Sequence, residues 1–168
     1  MTDNSLVLFT DFDGVFHHAF PLEGVLDHEN KHFAFVALFE EVMRENNFPI
    51  VISSTWRNGR SLDTLRSVFS PDIAARIVGV TPFLGQGRGM REKEILLYLE
   101  KTGQTGTPWV ALDDMGELFS KGAVVLCDDQ FKEREAKMLR EALQNPALYA
   151  EKHPIVHSDE IKIVRLKV

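Results

Sequence analysis

Residues 6–18 read LVLFTDFDGVFHH, and the rest of the chain is arranged around them. An apolar run from Leu6 to Phe9 meets Asp11 and Asp13, one residue apart, and Gly14 follows at once. A buried strand that ends in a sharp turn gives this pattern, with both acids at the tip. Alternate residues of an extended backbone face the same way, so the two carboxylates can address one point. Like charges held so close need a cation between them, and carboxylate oxygens with water are the ligands Mg²⁺ prefers.

Composition bounds what surrounds this tip. The 168 residues are 44% hydrophobic and 26% charged, which predicts one globular domain spanning 1–168 with enough apolar material for a core. A formal charge of −6 argues against nucleic-acid or membrane binding driven by bulk charge, although a local basic pocket is compatible with it. No run of 18 apolar residues exists, and the opening MTDNS lacks the layout of a secretion signal, so the expectation is a cytoplasmic protein with no membrane partner. The single cysteine, Cys127, reads as a small buried hydrophobe. Nothing in the pattern sets an oligomeric state.

Taken in order, the chain alternates strand and helix. His17 to Lys31, with Pro21, Gly24, His18 and His28, reads as a solvated flap or hairpin over the acids. His32 to Asn46 has a helical apolar face, Phe33, Val36, Phe39, Val42 and Met43, and predicts a crossover helix. Ile50 to Ile52 is a second buried strand, running into Ser53, Ser54, Thr55, Trp56 and Arg57. A strand ending in hydroxyls can place one of them on a phosphate oxygen, and the planar donor fork of Arg57 suits a second oxygen or the flank of a substrate. Trp56 reads either as core packing or as a stacking surface. Short helices over 61–69 and from Pro71, a small strand over 77–80, a glycine-rich stretch from Thr81 to Met90 and a helix from Arg91 to Lys101 follow. The glycine-rich stretch lacks a phosphate-loop pattern and is given no nucleotide role. Two more apolar runs end in acid pairs: Trp109 to Leu112 before Asp113 and Asp114, and Ala123 to Leu126 before Asp128 and Asp129. The second pair is read as capping a helix from Phe131. Ile161 to Val168 alternates like an edge strand or a docking tail.

These stretches resemble, in order, the four motifs of the haloacid dehalogenase (HAD) superfamily of phosphohydrolases. Asp-Phe-Asp-Gly-Val at 11–15 is similar to the first motif. Ser54 best fits the second, with Ser53 one register away as its alternative. The third motif is a basic residue near a helix start, for which Arg91 is the first choice and Lys93 the second. Asp113 and Asp114 fit the acidic fourth motif, and Glu117 stands where some members carry a further acid. The resemblance spans residues 6–129, leaving 130–168 as a C-terminal helix and tail. It implies a Rossmann-like α/β sandwich with a central parallel sheet, helices on both faces and no separate cap domain. A receiver-like fold also clusters acids with a hydroxyl and a lysine, but places its reactive Asp on a middle strand of the sequence.

The resemblance further implies an Mg²⁺-dependent phosphatase. Asp11 would be the nucleophile and Asp13 the general acid and base. Ser54, Arg57 and Arg91 or Lys93 would bind phosphate, and Asp11, the Asp13 carbonyl, Asp113 and Asp114 would hold the metal. The expected partner is a phosphorylated substrate. It is either a small phosphomonoester or a nucleic-acid end, because SSTWR, DFDGV and ALDDM are similar to the small HAD domains of RNA-repair proteins. A non-catalytic binding module, and transfer to an acceptor other than water, are the competing functions.

Overall fold

A computed structural model of the chain describes residues 6–18 and 32–157. Five parallel strands, β1 (Val7–Thr10), β2 (Ile50–Ile52), β3 (Ile77–Val80), β4 (Trp109–Asp113) and β5 (Ala123–Leu126), form one sheet in the order β3-β2-β1-β4-β5. The first strand of the chain is thus the central strand of the sheet. Helices α1 (Val36–Arg44), α2 (Leu62–Arg66), α3 (Pro71–Ala74), α4 (Met90–Lys101), α5 (Glu133–Gln144) and α6 (Pro146–Lys152) complete the α/β layers.

Strand period decides which residues meet which helices. Leu8, Ile50, Ile52, Val110, Leu112 and Val125 join one core cluster with Phe39 and Met43 of α1 and Leu139 of α5. Their neighbours in the same strands, Val7, Phe9, Val51, Ala111 and Val124, pack on the other face with Ile95 and Leu99 of α4. Both faces are covered, which is why these strands read as unbroken apolar runs rather than alternating ones. The larger cluster is aromatic. Phe39 is fully buried among Phe16, Phe69 and Phe131, with ring centroids 4.8, 6.0 and 5.8 Å away.

Register gathers the strand ends. Thr10 pairs with Ile52 on one side and with Leu112 on the other, so β1, β2 and β4 finish level. The ladder runs one step further, with Asp11 N–H donating to the Leu112 carbonyl (2.9 Å) and Ser53 N–H to the Thr10 carbonyl (2.8 Å). The residues after each strand therefore share one rim, the carboxyl edge where open α/β sheets place ligands.

Three expectations need correction. The first helix begins at Val36, not His32, because Phe33 takes a left-handed φ of 63° and Phe35 N–H bonds back to Phe16. The acids Asp128 and Asp129 do not cap α5. Lys132 is its N-cap and Glu135 accepts from the Lys132 N–H, while Asp128 and Asp129 pair from the surface with Arg134 and Lys132. Beyond Gln144 the chain makes one more helix, α6, capped by the Asn145 side chain with Pro146 in its first turn, an entry signal present in the sequence. Most of the expected flap and the expected edge strand over 161–168 lie outside the described residues. Among the described residues no helix is long and apolar enough to cross a membrane.

Phe39→Ala is expected to destabilise the fold by about 3–5 kcal/mol in urea unfolding, the cost of emptying a buried aromatic site. Leu96→Ala, at a side chain 45% exposed, serves as the control and shifts stability little.

Candidate active site

The strand-end register brings three carboxylates together. Asp11 follows β1, and Asp113 and Asp114 stand at the end of β4. One oxygen from each lies within 4.8 Å of the other two. Asp11 and Asp113 are buried. Gly14 makes this approach possible, since its φ is +70° and a Cβ there would stand 2.1 Å from Asp114 Oδ2. The turn is tied by Phe16 N–H to the Phe12 carbonyl and Gly14 N–H to the His17 carbonyl, each 2.9 Å.

Burial dominates the electrostatics of the cluster. It raises Asp11 and Asp113, and the charge of Asp11 raises Asp113 further. Asp114 is pushed up to about 6, by burial first and then by Asp11. Arg91, from the first turn of α4, opposes these shifts, with guanidinium nitrogens 3.7 Å from both Asp11 Oδ2 and Asp113 Oδ2. One arginine faces three carboxylates, so the donor set fits a hard divalent cation that takes oxygen ligands.

Asp13 lies outside this cluster and in the opposite environment. Its Oδ1 accepts from His17 Nε2 (2.8 Å) and from Trp56 Nε1 (2.9 Å). The His17 hydrogen bond is the main reason its carboxyl is held below the usual range, against a smaller opposing effect of burial. The Phe33 N–H donates to His17 Nδ1 at 3.4 Å, which leaves the ring proton on Nε2, facing Asp13. His17 is therefore no part of a solvated flap. It is buried, with His32, Phe33 and Trp56 packed around its ring. Nor is Trp56 only core packing or only a stacking surface, because its indole N–H serves the acid.

The β2 end supplies the rest. Ser54 is fully buried, its hydroxyl favours the charged form of Asp11, and its Oγ accepts from Trp56 N–H at 3.3 Å. Ser53, the alternative, is engaged by Thr81 Oγ1 at 3.4 Å, toward β3. Arg57 is buried and already held. It donates to the Ser54 carbonyl (2.5 Å) and to Glu94 (2.7 Å), fastening the β2 end to α4. Of the two basic candidates on α4, Arg91 reaches the carboxylates while Lys93 is exposed. Glu117 is exposed in the turn 116–118. Glu94, absent from the sequence-based site, is the counter-ion that lets Arg57 be buried. Its signal was its position three residues after Arg91 on the same helix.

Two measurements follow from these environments. In ¹³C NMR titrations, His17→Ala and Trp56→Phe should each move the Asp13 carboxyl midpoint upward, by removing donors to its ionised form. For the metal-free protein, raised carboxyl values mean that the folded state binds more protons than the unfolded one. Stability should therefore be greatest below pH 4 as far as these groups are concerned, and be lost as pH rises through about 6, with a flatter thermal-melt profile for Asp114→Asn.

The profile of the family described as "HAD domain in Swiss Army Knife RNA repair proteins" matches residues 7–138. No curated protein and no solved structure gives a significant match to the chain. The matched span runs from β1 into α5 and holds every residue of the carboxylate cluster, Ser54, Arg57 and Arg91. The chain belongs to the HAD superfamily, in the family of HAD domains of Swiss Army Knife RNA repair proteins.

Proposed function

We propose that the chain is an Mg²⁺-dependent phosphatase that hydrolyses a phosphomonoester through an aspartyl-phosphate on Asp11. The observation that carries this reading is one buried carboxylate, Asp11, 3.7 Å from Arg91 and beside two further carboxylates at the rim of a parallel sheet. An Asp in that setting is a nucleophile with its charge-stabilising groups already placed.

Asp11 attacks phosphorus in line, forming the Asp11 Oδ–P bond as the bond from phosphorus to the ester oxygen breaks. Asp13 gives the leaving oxygen its proton. It then takes a proton from the water that attacks the phosphoaspartate, and cleavage of the Asp11 Oδ–P bond returns the carboxylate. The hydrogen bonds from His17 and Trp56 favour ionised Asp13, the form the second step needs, and the approach of an anionic phosphate favours its protonation for the first. Ser54 and Arg91 hold the non-bridging oxygens. When bound by Asp11, Asp113, Asp114 and the Asp13 carbonyl, Mg²⁺ supplies charge neutralisation between nucleophile and phosphate. Arg57, fixed by Glu94 and the Ser54 carbonyl, positions the second motif.

A nucleic-acid end is the substrate that the family description favours over a small metabolite. A non-catalytic module is disfavoured because Asp11 and Asp13 are both retained. A cytoplasmic location fits all of these readings.

The test is phosphate release from a panel of phosphomonoesters, including 5′- and 3′-phosphorylated oligonucleotides, with Mg²⁺ or EDTA. Release should need Mg²⁺ and should fall by more than about a thousandfold in Asp11→Asn, the scale of losing a nucleophile. Arg91→Met should cost about a hundredfold, as expected for one charge-stabilising donor. Release from no substrate, with or without metal, would overturn the phosphatase reading.

A further inference from the structure

Asp13 has more structure around it than its charge alone requires. Its Oδ1 takes both nearby donors, His17 Nε2 at 2.8 Å and Trp56 Nε1 at 2.9 Å. They come from two parts of the chain, His17 from the far end of the same turn and Trp56 from the residues after β2. A carboxylate on a turn can rotate about two side-chain bonds, and this side chain is 36% exposed. Two donors converging on one oxygen fix that oxygen and the plane of the group, and they leave Oδ2 for a reacting proton.

The donors are themselves held. The rings of His17, Phe33 and Trp56 each meet the other two, with centroids 4.9 Å apart for His17 and Phe33, 5.3 Å for His17 and Trp56, and 5.0 Å for Phe33 and Trp56. His17 is buried, its carbonyl accepts from the Gly14 N–H, and its Nδ1 accepts from the Phe33 N–H at 3.4 Å. Phe33 makes that bond from a left-handed φ of 63°, a conformation bulky residues rarely adopt. Strained backbone of this kind is kept where the surroundings over-determine it, and it clusters at functional sites. Any two donors would favour the charged form of Asp13. A buried imidazole backed by a strained amide and packed between two rings also sets a direction.

We propose that His17 is the positioning residue for proton transfer: with Trp56 it pins Oδ1 of Asp13, so that Oδ2 gives the leaving oxygen its proton and then takes one from water. The inference rests on the phosphatase reading for these two steps, and it adds which oxygen works and what aims it. Transfer needs heavy atoms about 2.6–3.2 Å apart, and a displacement of about 1 Å costs on the order of a hundredfold. Charge and position predict opposite outcomes. Removing a donor that acts only on charge leaves Asp13 more protonated, which helps a poor leaving group depart. Removing a donor that aims the acid slows that departure.

The test compares phenyl phosphate, whose leaving oxygen needs a proton, with p-nitrophenyl phosphate, whose leaving oxygen does not, in the presence of Mg²⁺. The readout is kcat/KM, which ends at departure of the first product. His17→Ala should lower it about tenfold for phenyl phosphate, part of the roughly 10²–10⁴-fold worth of a general acid, and less than about twofold for p-nitrophenyl phosphate. His17→Gln, which offers an N–H from a similar place, should restore most of the loss. Trp56→Phe keeps a ring in the packing and removes the other donor. It should show the same bias, and it keeps the test open if His17→Ala does not fold. In NMR spectra of the same proteins without substrate, couplings about Asp13 χ1 should report one rotamer in wild type and averaging in His17→Ala and Trp56→Phe. Equal losses for the two esters, a gain for phenyl phosphate, or a single Asp13 rotamer in both variants would each overturn the positioning role. Release from neither ester by the wild-type protein would count against the phosphatase reading, and the couplings would still decide whether His17 holds Asp13.

Discussion

The structure depends on holding three carboxylates together at the end of a parallel sheet, two of them, Asp11 and Asp113, out of water. Asp11, Asp113 and Asp114 are forced together by level strand ends, and no turn residue other than Gly14 would let Asp114 come so near. Removing such groups from water is costly, and two like charges at this range add to the cost. Arg91 offsets only part of it. A site that is left short of positive charge by its own backbone register is one organised to receive it.

The arginine is itself kept in place by a second layer of buried charge. Glu94 accepts from Arg57 at 2.7 Å and from the Leu84 N–H at 2.9 Å, and it lies 4.0 Å from Arg91. Helix α4 is thus tied to the β2 end and to the loop that precedes it by one carboxylate. Breaking a buried pair of this kind costs about 3–5 kcal/mol, since the remaining charge is left without compensation. Arg57, a phosphate-binding candidate by residue type, is part of this frame through Glu94 and also bonds the Ser54 carbonyl. Its link to the site passes through the Ser54 carbonyl.

Strands and their acids were legible in the sequence because their signals are local. Apolar runs marked all five strands, and those of β1, β2 and β4 run straight into Asp11, Ser53 and Asp113 at the rim, which set the order of the motifs. Helix starts were less legible, since Phe33 and Lys132 occupy conformations or caps that their residue types do not announce. The partners of the site were the least legible. His17 looked like one of several loop histidines, and its bond to Asp13 depends on a turn that brings it back four residues later, while the second donor is a tryptophan 43 residues from Asp13 in sequence. Glu94 looked like an ordinary helix acid, and only the packing of α4 against β2 makes it a counter-ion. Arg91 and Lys93, two residues apart on one helix, become distinguishable only once the helix is docked and one of them is buried.

The DxD pair shows how one short motif supports two chemical roles. Asp11 and Asp13 are two residues apart, yet burial raises the first while donors from His17 and Trp56 lower the second. Carboxylates whose environments push them apart are how a single site keeps distinct proton assignments at one pH. Here the separation runs in an instructive direction. Asp11 is the one whose charge burial disfavours, so its ionisation depends on positive charge brought beside it. The ionised form of Asp13 is favoured instead by hydrogen bonds from His17 and Trp56. The turn after β1 thus sends one acid into the carboxylate cluster and the other to hydrogen-bond donors outside it.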